Sequence, residues 1–281
     1  MKPFKITAAT HVFGVIGNPV AHSMGPLMHN RALSLTGLQG VYVAFRSEDI
    51  AGAIAGVRAL NIRGVSITIP HKRTVMPLLD AIDAEAEHIG AVNTIVNRDG
   101  RLLGVNTDGR GALAALENHT PLKGKSVMIV GAGGAARAIG ASVVVAGGRL
   151  TIVNRSTDRG QALAAHLGCD FQPLSARPRP RSSFDVLINT TPVGMWPHTD
   201  QSPVPDTLLQ PGMLVMDIVY NPLETRLLQA ARRRGCIPID GLGMFVHQGA
   251  LQFELWTDRQ APVEQMRLAV IEALREHAPP T

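Results

Sequence analysis

Ser126-Val127-Met128-Ile129-Val130-Gly131-Ala132-Gly133-Gly134-Ala135-Ala136 decides the fold. An apolar run of strand length, Ser126 to Val130, leads straight into a glycine-rich turn. Small residues then continue in helical register to Ala146, and Gly147-Gly148 ends them. A buried strand that feeds a glycine turn and a helix is half of a parallel crossover unit. Gly131 permits the tight turn. Gly133 lets the backbone approach a ligand, and Ala136 is small enough for helix and strand to pack closely. The first N–H groups of the helix, at Gly134 and Ala135, have no partner inside it and suit a pyrophosphate.

Further along, Leu150 to Val153 forms a second strand, which ends in Asn154-Arg155-Ser156. An NAD site places Asp or Glu there, ~20 residues past the first glycine, to hold the ribose hydroxyls. This chain has a guanidinium instead. Arg155 can stack on adenine and pair with a 2′-phosphate, Ser156 can donate to that phosphate, and Arg159 adds charge one turn on. Asp158, the nearest acid, falls in the first turn of the next helix. The expected cofactor is therefore NADP rather than NAD. Strands at Asp185 to Ile188 and Met213 to Asp217 extend the pattern into a doubly wound parallel sheet. Between them Gln172 to Ser183 reads as a basic, proline-rich loop. Two helical patterns, Gly243 to Trp256 and Pro262 to His277, close the chain.

The N-terminal part alternates in the same way. Val12 to Ile16 is strand-like, Pro26 to Leu35 helical, and Val41 to Phe45 strand-like. Ser47-Glu48-Asp49 opens a helix with an N-cap and first-turn acids, and Ile50, Ile54, Val57 and Leu60 share one face. Val65 to Ile69 is a strand halted by Pro70. Val92 to Val96 is another, and Asn97-Arg98-Asp99-Gly100 carries the Asp-Gly signal of a hairpin before Leu102-Leu103. The expectation is an α/β unit with an antiparallel edge. A second unit starts near Gly111, with Ala112 to Leu116 as a connecting helix.

Composition narrows the function. The chain has 281 residues, enough for one large domain or two ordinary ones, and 45% are hydrophobic. No apolar run approaches the ~20 residues that span a bilayer. Met1 to Val12 has two lysines and no apolar core, unlike a signal peptide. Cys169 and Cys236 have no metal-like spacing, so buried free thiols, a reducing cytoplasm and no bound metal are expected. Net charge is +5. The basic clusters are Arg177 to Arg181, in the proline-rich loop, and Arg232 to Arg234, closing a helix where cations favour the dipole. With 4% aromatic residues there is little to stack bases on, and nucleic acid is not an expected partner.

Several polar fragments at strand ends and turns have no packing role: Asn18-Pro19-Val20-Ala21-His22-Ser23, Ser66-Ile67-Thr68-Ile69-Pro70-His71-Lys72, Ala91-Val92-Asn93-Thr94 and Asn106-Thr107-Asp108-Gly109. Such places collect ligand groups in α/β proteins. Together with the glycine loop, Asn154-Arg155-Ser156, and Gly241-Leu242-Gly243-Met244 with Gln248, they closely resemble the shikimate dehydrogenase family, from Phe13 to about Trp256.

The resemblance implies a substrate domain over residues 1–110 and a Rossmann NADP domain over 111–242, flanking a cleft. It also implies that helices 243–281 return to complete the first domain. The implied reaction is reversible reduction of 3-dehydroshikimate to shikimate by NADPH. By matched position, Lys72 and Asp108 resemble the catalytic pair. An ammonium stabilises charge developing on the carbonyl oxygen and supplies its proton, and a carboxylate orients the lysine and accepts from a substrate hydroxyl. Ser23 resembles a carboxylate-binding hydroxyl, Tyr220 the family tyrosine near that carboxylate, and Thr68, Asn93 and Gln248 partners of a polyhydroxylated ring. Thr190, Ile218, Gly241 and Met244 match positions around the nicotinamide. His22, His71 and His247 flank these motifs without a matched role.

Two positions depart from the family. Gly25 stands where a second serine is usual, and Ser66 where asparagine is common, although serine occurs there in quinate/shikimate relatives. Losing a hydrogen bond to a charged group costs ~1.5–3 kcal/mol, or roughly ten- to a hundredfold in affinity. Quinate or aminoshikimate is therefore an alternative substrate on the same scaffold. A catalytically silent NADP-binding module is a more remote alternative, which the presence of both Lys72 and Asp108 argues against. A homodimer is compatible with the sequence.

Overall fold

The computed structural model describes residues 5–175 and 184–276. The chain divides into two compact units, one formed by Met1–Thr107 with Val246–Thr281 and the other by Asp108–Phe245. Each is an α/β unit built on a six-stranded sheet.

In the first unit the elements are β1 (His11–Gly17), α1 (Gly25–Leu35), β2 (Gly40–Arg46), α2 (Ile50–Ala59), β3 (Gly64–Ile67), β4 (Ala81–Ile82), α3 (Ala84–Ile89), β5 (Thr94–Arg98) and β6 (Arg101–Val105). The sheet order is β2-β1-β3-β5-β6-β4. β5 runs antiparallel to both its neighbours and the remaining pairs are parallel, so the antiparallel element is an interior strand and not the expected edge. Its cause is the hairpin, whose turn residues Asp99 and Gly100 both have positive φ (51° and 90°), as a two-residue turn of matching twist requires. Ile16, Ile54, Val57, Val65, Ile67, Ile95 and Leu102 are among the buried residues between sheet and helices.

Some expected boundaries move. α2 is capped by Asp49, not Ser47: the Asp49 side chain accepts from Gly52 N, worth about 1 kcal/mol, and no acid lies in the first turn. Leu60 is 74% exposed, because the helix ends one residue before it. β3 stops at Ile67, since the chain turns there and His71 N donates to Thr68 O. β5 begins at Thr94, two residues later than expected.

The second unit contains α4 (Asp108–Glu117), β7 (Ser126–Val130), α5 (Gly134–Val145), β8 (Arg149–Asn154), α6 (Thr157–Leu167), β9 (Asp170–Pro173), β10 (Val186–Asn189), β11 (Leu214–Asp217), α7 (Arg226–Arg233) and β12 (Ile237–Ile239). The order β12-β11-β10-β7-β8-β9 is parallel throughout. The chain starts in the middle at β7, winds outward through β8 and β9, and returns to β10 on the other side. That reversal is the switch point at which such sheets bind ligands. β9 takes Gln172 and Pro173 out of the expected loop, because a parallel edge beside β8 accommodates them. Residues 176–183, with the Arg177 to Arg181 cluster, lie outside the described residues. Arg232 and Arg233 occupy the last turn of α7 and pair with Glu224 and Asp206. Cys169 is half-buried and Cys236 buried, both as free thiols, so only one matches the buried expectation.

α8 (Gly241–Thr257) and α9 (Val263–Glu276) close the chain. Trp256 on α8 donates from its indole to Ile95 O at 3.0 Å, and α9 packs beside α1. Among the described residues no helix is long and apolar enough to cross a membrane.

Candidate active site

In the second unit the residues expected to hold the cofactor gather at the C-terminal ends of parallel strands. Val130 pairs with Val153 and with Asn189, and Asn189 with Asp217, so four strands end at one edge. Gly131 follows β7 with φ +118°, a conformation that favours glycine, and a Cβ there would lie 2.4 Å from the Thr190 hydroxyl. Thr190 is held at this turn by donating to Val130 O at 2.7 Å. Gly133 caps α5 in an extended conformation, and a Cβ added to it would meet nothing within 4 Å. The backbone is thus open to a close-lying ligand at the helix N-terminus.

Beside this turn, Asn154 ends β8 and donates from its side chain to Ser156 O at 2.8 Å. Ser156 is the N-cap residue of α6, yet its hydroxyl makes no capping bond. Arg155, Ser156 and Arg159 are exposed, and neither arginine forms an ion pair among the described residues. Asp158 lies in the first turn of α6, where an acid favours the dipole. An uncapped hydroxyl and two uncommitted guanidiniums beside an open glycine turn fit a dinucleotide with a phosphorylated ribose.

Ile218, Val219 and Tyr220 follow β11. Asp217 holds this segment by accepting from Asn189 Nδ2 (2.9 Å), Val219 N (3.1 Å) and Thr225 Oγ1 (2.7 Å). Burial pushes its carboxyl up to about 6, against the pull of those three donors. A Cβ on Gly241 would lie 2.5 Å from Ile218 O, so only glycine lets α8 start this close. Met244 is buried on the same helix, and Tyr220 stacks on Phe245 with centroids 4.3 Å apart. Asp108 is buried at the first position of α4.

In the first unit the polar fragments converge. Asn93 is buried; its Oδ1 accepts from Thr107 N (2.8 Å) and Thr94 Oγ1 (2.7 Å), and its Nδ2 donates to Thr107 Oγ1 (2.9 Å) and Gln248 Oε1 (3.4 Å). Gln252, one turn beyond Gln248 on α8, donates to Thr94 Oγ1 and Asn93 O and accepts from Ser66 Oγ at 2.8 Å. Ser66 Oγ in turn accepts from the Tyr42 hydroxyl at 2.8 Å. Ser66, Thr68, Lys72 and Gln248 are partly exposed. Lys72 O accepts from Val92 N at 2.8 Å, which ties the lysine segment to the stretch that leads through Asn93 into β5.

Ser23 Oγ accepts from Gly25 N at 3.2 Å and crowns the start of α1. A Cβ on Gly25 would come 3.2 Å from Ser23 Oγ and 3.4 Å from the Tyr42 hydroxyl. Sequence reading missed Tyr42 and Gln252, and gave Thr94 and Thr107, which stand in its polar fragments, no role of their own. Tyr42 reads as an ordinary strand residue and Gln252 lies inside a helical pattern, so neither carries a local signal. His71 is buried with Nε2 bonded to Ser47 O, a structural role, while His22 is exposed and His247 half-buried.

A doubly wound unit with a phosphate-receptive turn, and a second α/β unit with a cluster of hydroxyl and amide groups, together define a dinucleotide-linked oxidoreductase acting on a small polar molecule. Family models match along the chain: the shikimate dehydrogenase substrate binding domain over residues 15–95, shikimate/quinate 5-dehydrogenase over 113–218, and the shikimate 5'-dehydrogenase C-terminal domain over 241–271. A shikimate dehydrogenase (NADP+) of Moorella thermoacetica is 46% identical, covering 96% of both chains. One of Geobacillus kaustophilus is 46% identical over 94% of this chain and 99% of its own. The Thermus thermophilus shikimate 5-dehydrogenase, solved with NADP(H) and shikimate, superposes with TM-score 0.87 at 39% identity, covering 94% of this chain and 100% of that one. The chain belongs to the shikimate dehydrogenase family.

Proposed function

We propose that the protein catalyses the reversible, NADPH-dependent reduction of 3-dehydroshikimate to shikimate. The observation that carries this is the hydrogen-bonded cluster around Asn93, which fixes hydroxyl and amide groups for a polyol ring in the unit that carries Lys72. The first unit, completed by α8 beyond Phe245 and by α9, is the substrate domain, and residues 111–242 form the NADP domain.

NADPH supplies the hydride. Gly131, Gly133, Gly134 and Ala135 would hold its pyrophosphate, and Asn154, Arg155, Ser156 and Arg159 its phosphorylated ribose. Thr190, Ile218, Gly241 and Met244 would line the nicotinamide. Lys72 stabilises negative charge on the carbonyl oxygen and gives it a proton, and Asp108 accepts from a substrate hydroxyl. Ser23 and Tyr220 bind the carboxylate, while Ser66, Thr68, Asn93 and Gln248 bind the ring. The protein works in the cytoplasm, in keeping with its free cysteines, and a homodimer is testable by light scattering.

Steady-state rates with shikimate, quinate and aminoshikimate, each with NADP and NAD, test the reading. Shikimate with NADP should give the highest kcat/KM. Absence of turnover on all three would sink it. Gly25 keeps quinate and aminoshikimate as competing substrates, because a glycine there removes a hydroxyl from the carboxylate end.

A further inference from the structure

Two backbone groups set the direction of the hydrogen bonds that run from Asn93 through Gln252 to Ser66. A backbone N–H only donates and a backbone carbonyl only accepts. Thr107 N therefore fixes Oδ1 of Asn93 as the atom facing it, and Asn93 O fixes the NH2 of Gln252. The Gln252 oxygen is then an acceptor. It takes the Ser66 proton at 2.8 Å, and the buried His29 ring bonds to Gln252 as well. His29 Nδ1 has no partner among the described residues, and burial pushes the ring pKa down to about 3, so the imidazole is neutral and donates from Nε2. With its proton committed, Ser66 receives the Tyr42 proton at 2.8 Å. One lone pair of the Ser66 oxygen is left, and no proton.

We propose that Gln252 is a positioning residue that makes Ser66 an acceptor-only contact, with Tyr42 filling one of its two lone pairs, so that the ring substituent placed against Ser66 must be a hydrogen-bond donor. The inference rests on the reading that Ser66 faces the substrate ring. An alcohol satisfies it. A carboxylate, a ketone or an ether oxygen would set lone pair against lone pair, so neither the carboxylate nor the carbonyl under reduction rests on Ser66. The departure from the family asparagine gains a meaning here. An asparagine at this position offers a donor and an acceptor together, whereas this serine offers an acceptor alone and narrows the choice of ring.

Shikimate analogues in which the C4 or the C5 hydroxyl is singly replaced by fluorine keep an acceptor of similar size and lose the donor. For the wild type, one of the two should lose about tenfold or more in kcat/KM. Gln252→Leu frees the Ser66 proton and should bring that fluoro-to-hydroxyl ratio at least fivefold closer to one. Tyr42→Phe leaves the Ser66 proton on Gln252 and should keep the wild-type ratio, which a merely structural loss would not separate from Gln252→Leu. If the wild type handles both analogues as well as shikimate, the proposal is overturned, and this arm needs no variant to fold. A discrimination abolished by Ser66→Ala but unchanged by Gln252→Leu also overturns it, with the substrate reading intact. If Ser66→Ala leaves the discrimination unchanged, Ser66 does not face the ring, and it is that underlying reading that fails.

Discussion

The backbone N–H of Thr107 donates to Oδ1 of Asn93 at 2.8 Å, and this contact orients an amide that bonds to Thr94, Thr107 and Gln248. Asn93→Asp keeps the shape but replaces the NH2 with an oxygen. Thr107 Oγ1 and Gln248 Oε1 would then face a buried carboxylate in place of a donor. The expected loss of stability is about 2–4 kcal/mol, read as a lower denaturant midpoint with unchanged slope. A midpoint equal to that of the wild type would mean that the amide orientation has no energetic weight.

Lys72→Ala should lower kcat by ~10²–10⁴ and leave NADP affinity nearly intact, because the lysine acts on the carbonyl oxygen and not on the cofactor. Single-turnover rates with calorimetric NADP titration separate the two effects. Wild-type turnover in this variant would remove Lys72 from the chemistry.

Arg155 is exposed beside a turn whose Ser156 hydroxyl makes no cap. Arg155→Ala should raise KM for NADPH about ten- to a hundredfold and scarcely move that for NADH, since a charge-assisted bond to a 2′-phosphate has no counterpart in NADH. A parallel rise in both would show that Arg155 contacts a part common to the two cofactors.

A serine at position 25 has room if Ser23 shifts by a few tenths of an ångström, as its Cβ would stand 3.2 Å from that hydroxyl. Gly25→Ser should therefore fold normally and lower KM for shikimate up to about tenfold, within the range of one bond to a carboxylate. An unchanged KM would indicate that water or another donor already serves.

Asp217 gives a pH dependence whose sign follows from its raised pKa. With a folded value of about 6 against 3.8 for the free group, the native state holds the proton more tightly. Its contribution to stability is full below about 3.8 and is lost as pH rises through about 6. In Asp217→Asn the amide oxygen can accept from Asn189 and Val219, and its NH2 can donate to Thr225. Relative to that variant, the wild type should lose up to about 3 kcal/mol between pH 4 and pH 7. Parallel stability curves across that range would contradict this.

The glycine loop, the arginine after β8 and the hairpin at Asp99-Gly100 were legible because each depends on neighbouring residues with fixed backbone demands. The interior antiparallel strand and β9 were not, since pairing direction and edge addition depend on partners far away in sequence. The polar cluster was half legible. Asn93, Ser66 and Gln248 stand in recognisable fragments, while Tyr42 and Gln252 owe their role to contacts across 24 and 186 residues. The missing first-turn acids of α2 reflect a shift of two residues, which no periodicity can resolve when three capping-competent residues adjoin.

Gln252 and Trp256 both lie on the helix that begins at Gly241, and both bond to strand residues from the first hundred positions. On the ribosome the N-terminal sheet is therefore made long before the helix that satisfies Ser66, Thr94 and Ile95. The intervening unit, Asp108–Phe245, is contiguous and can fold while that sheet waits. A nascent chain halted before Gln252 would have its hydroxyl cluster unfinished and the indole's place on the sheet open. Vectorial synthesis thus makes a late-made helix the step that completes an early-made sheet.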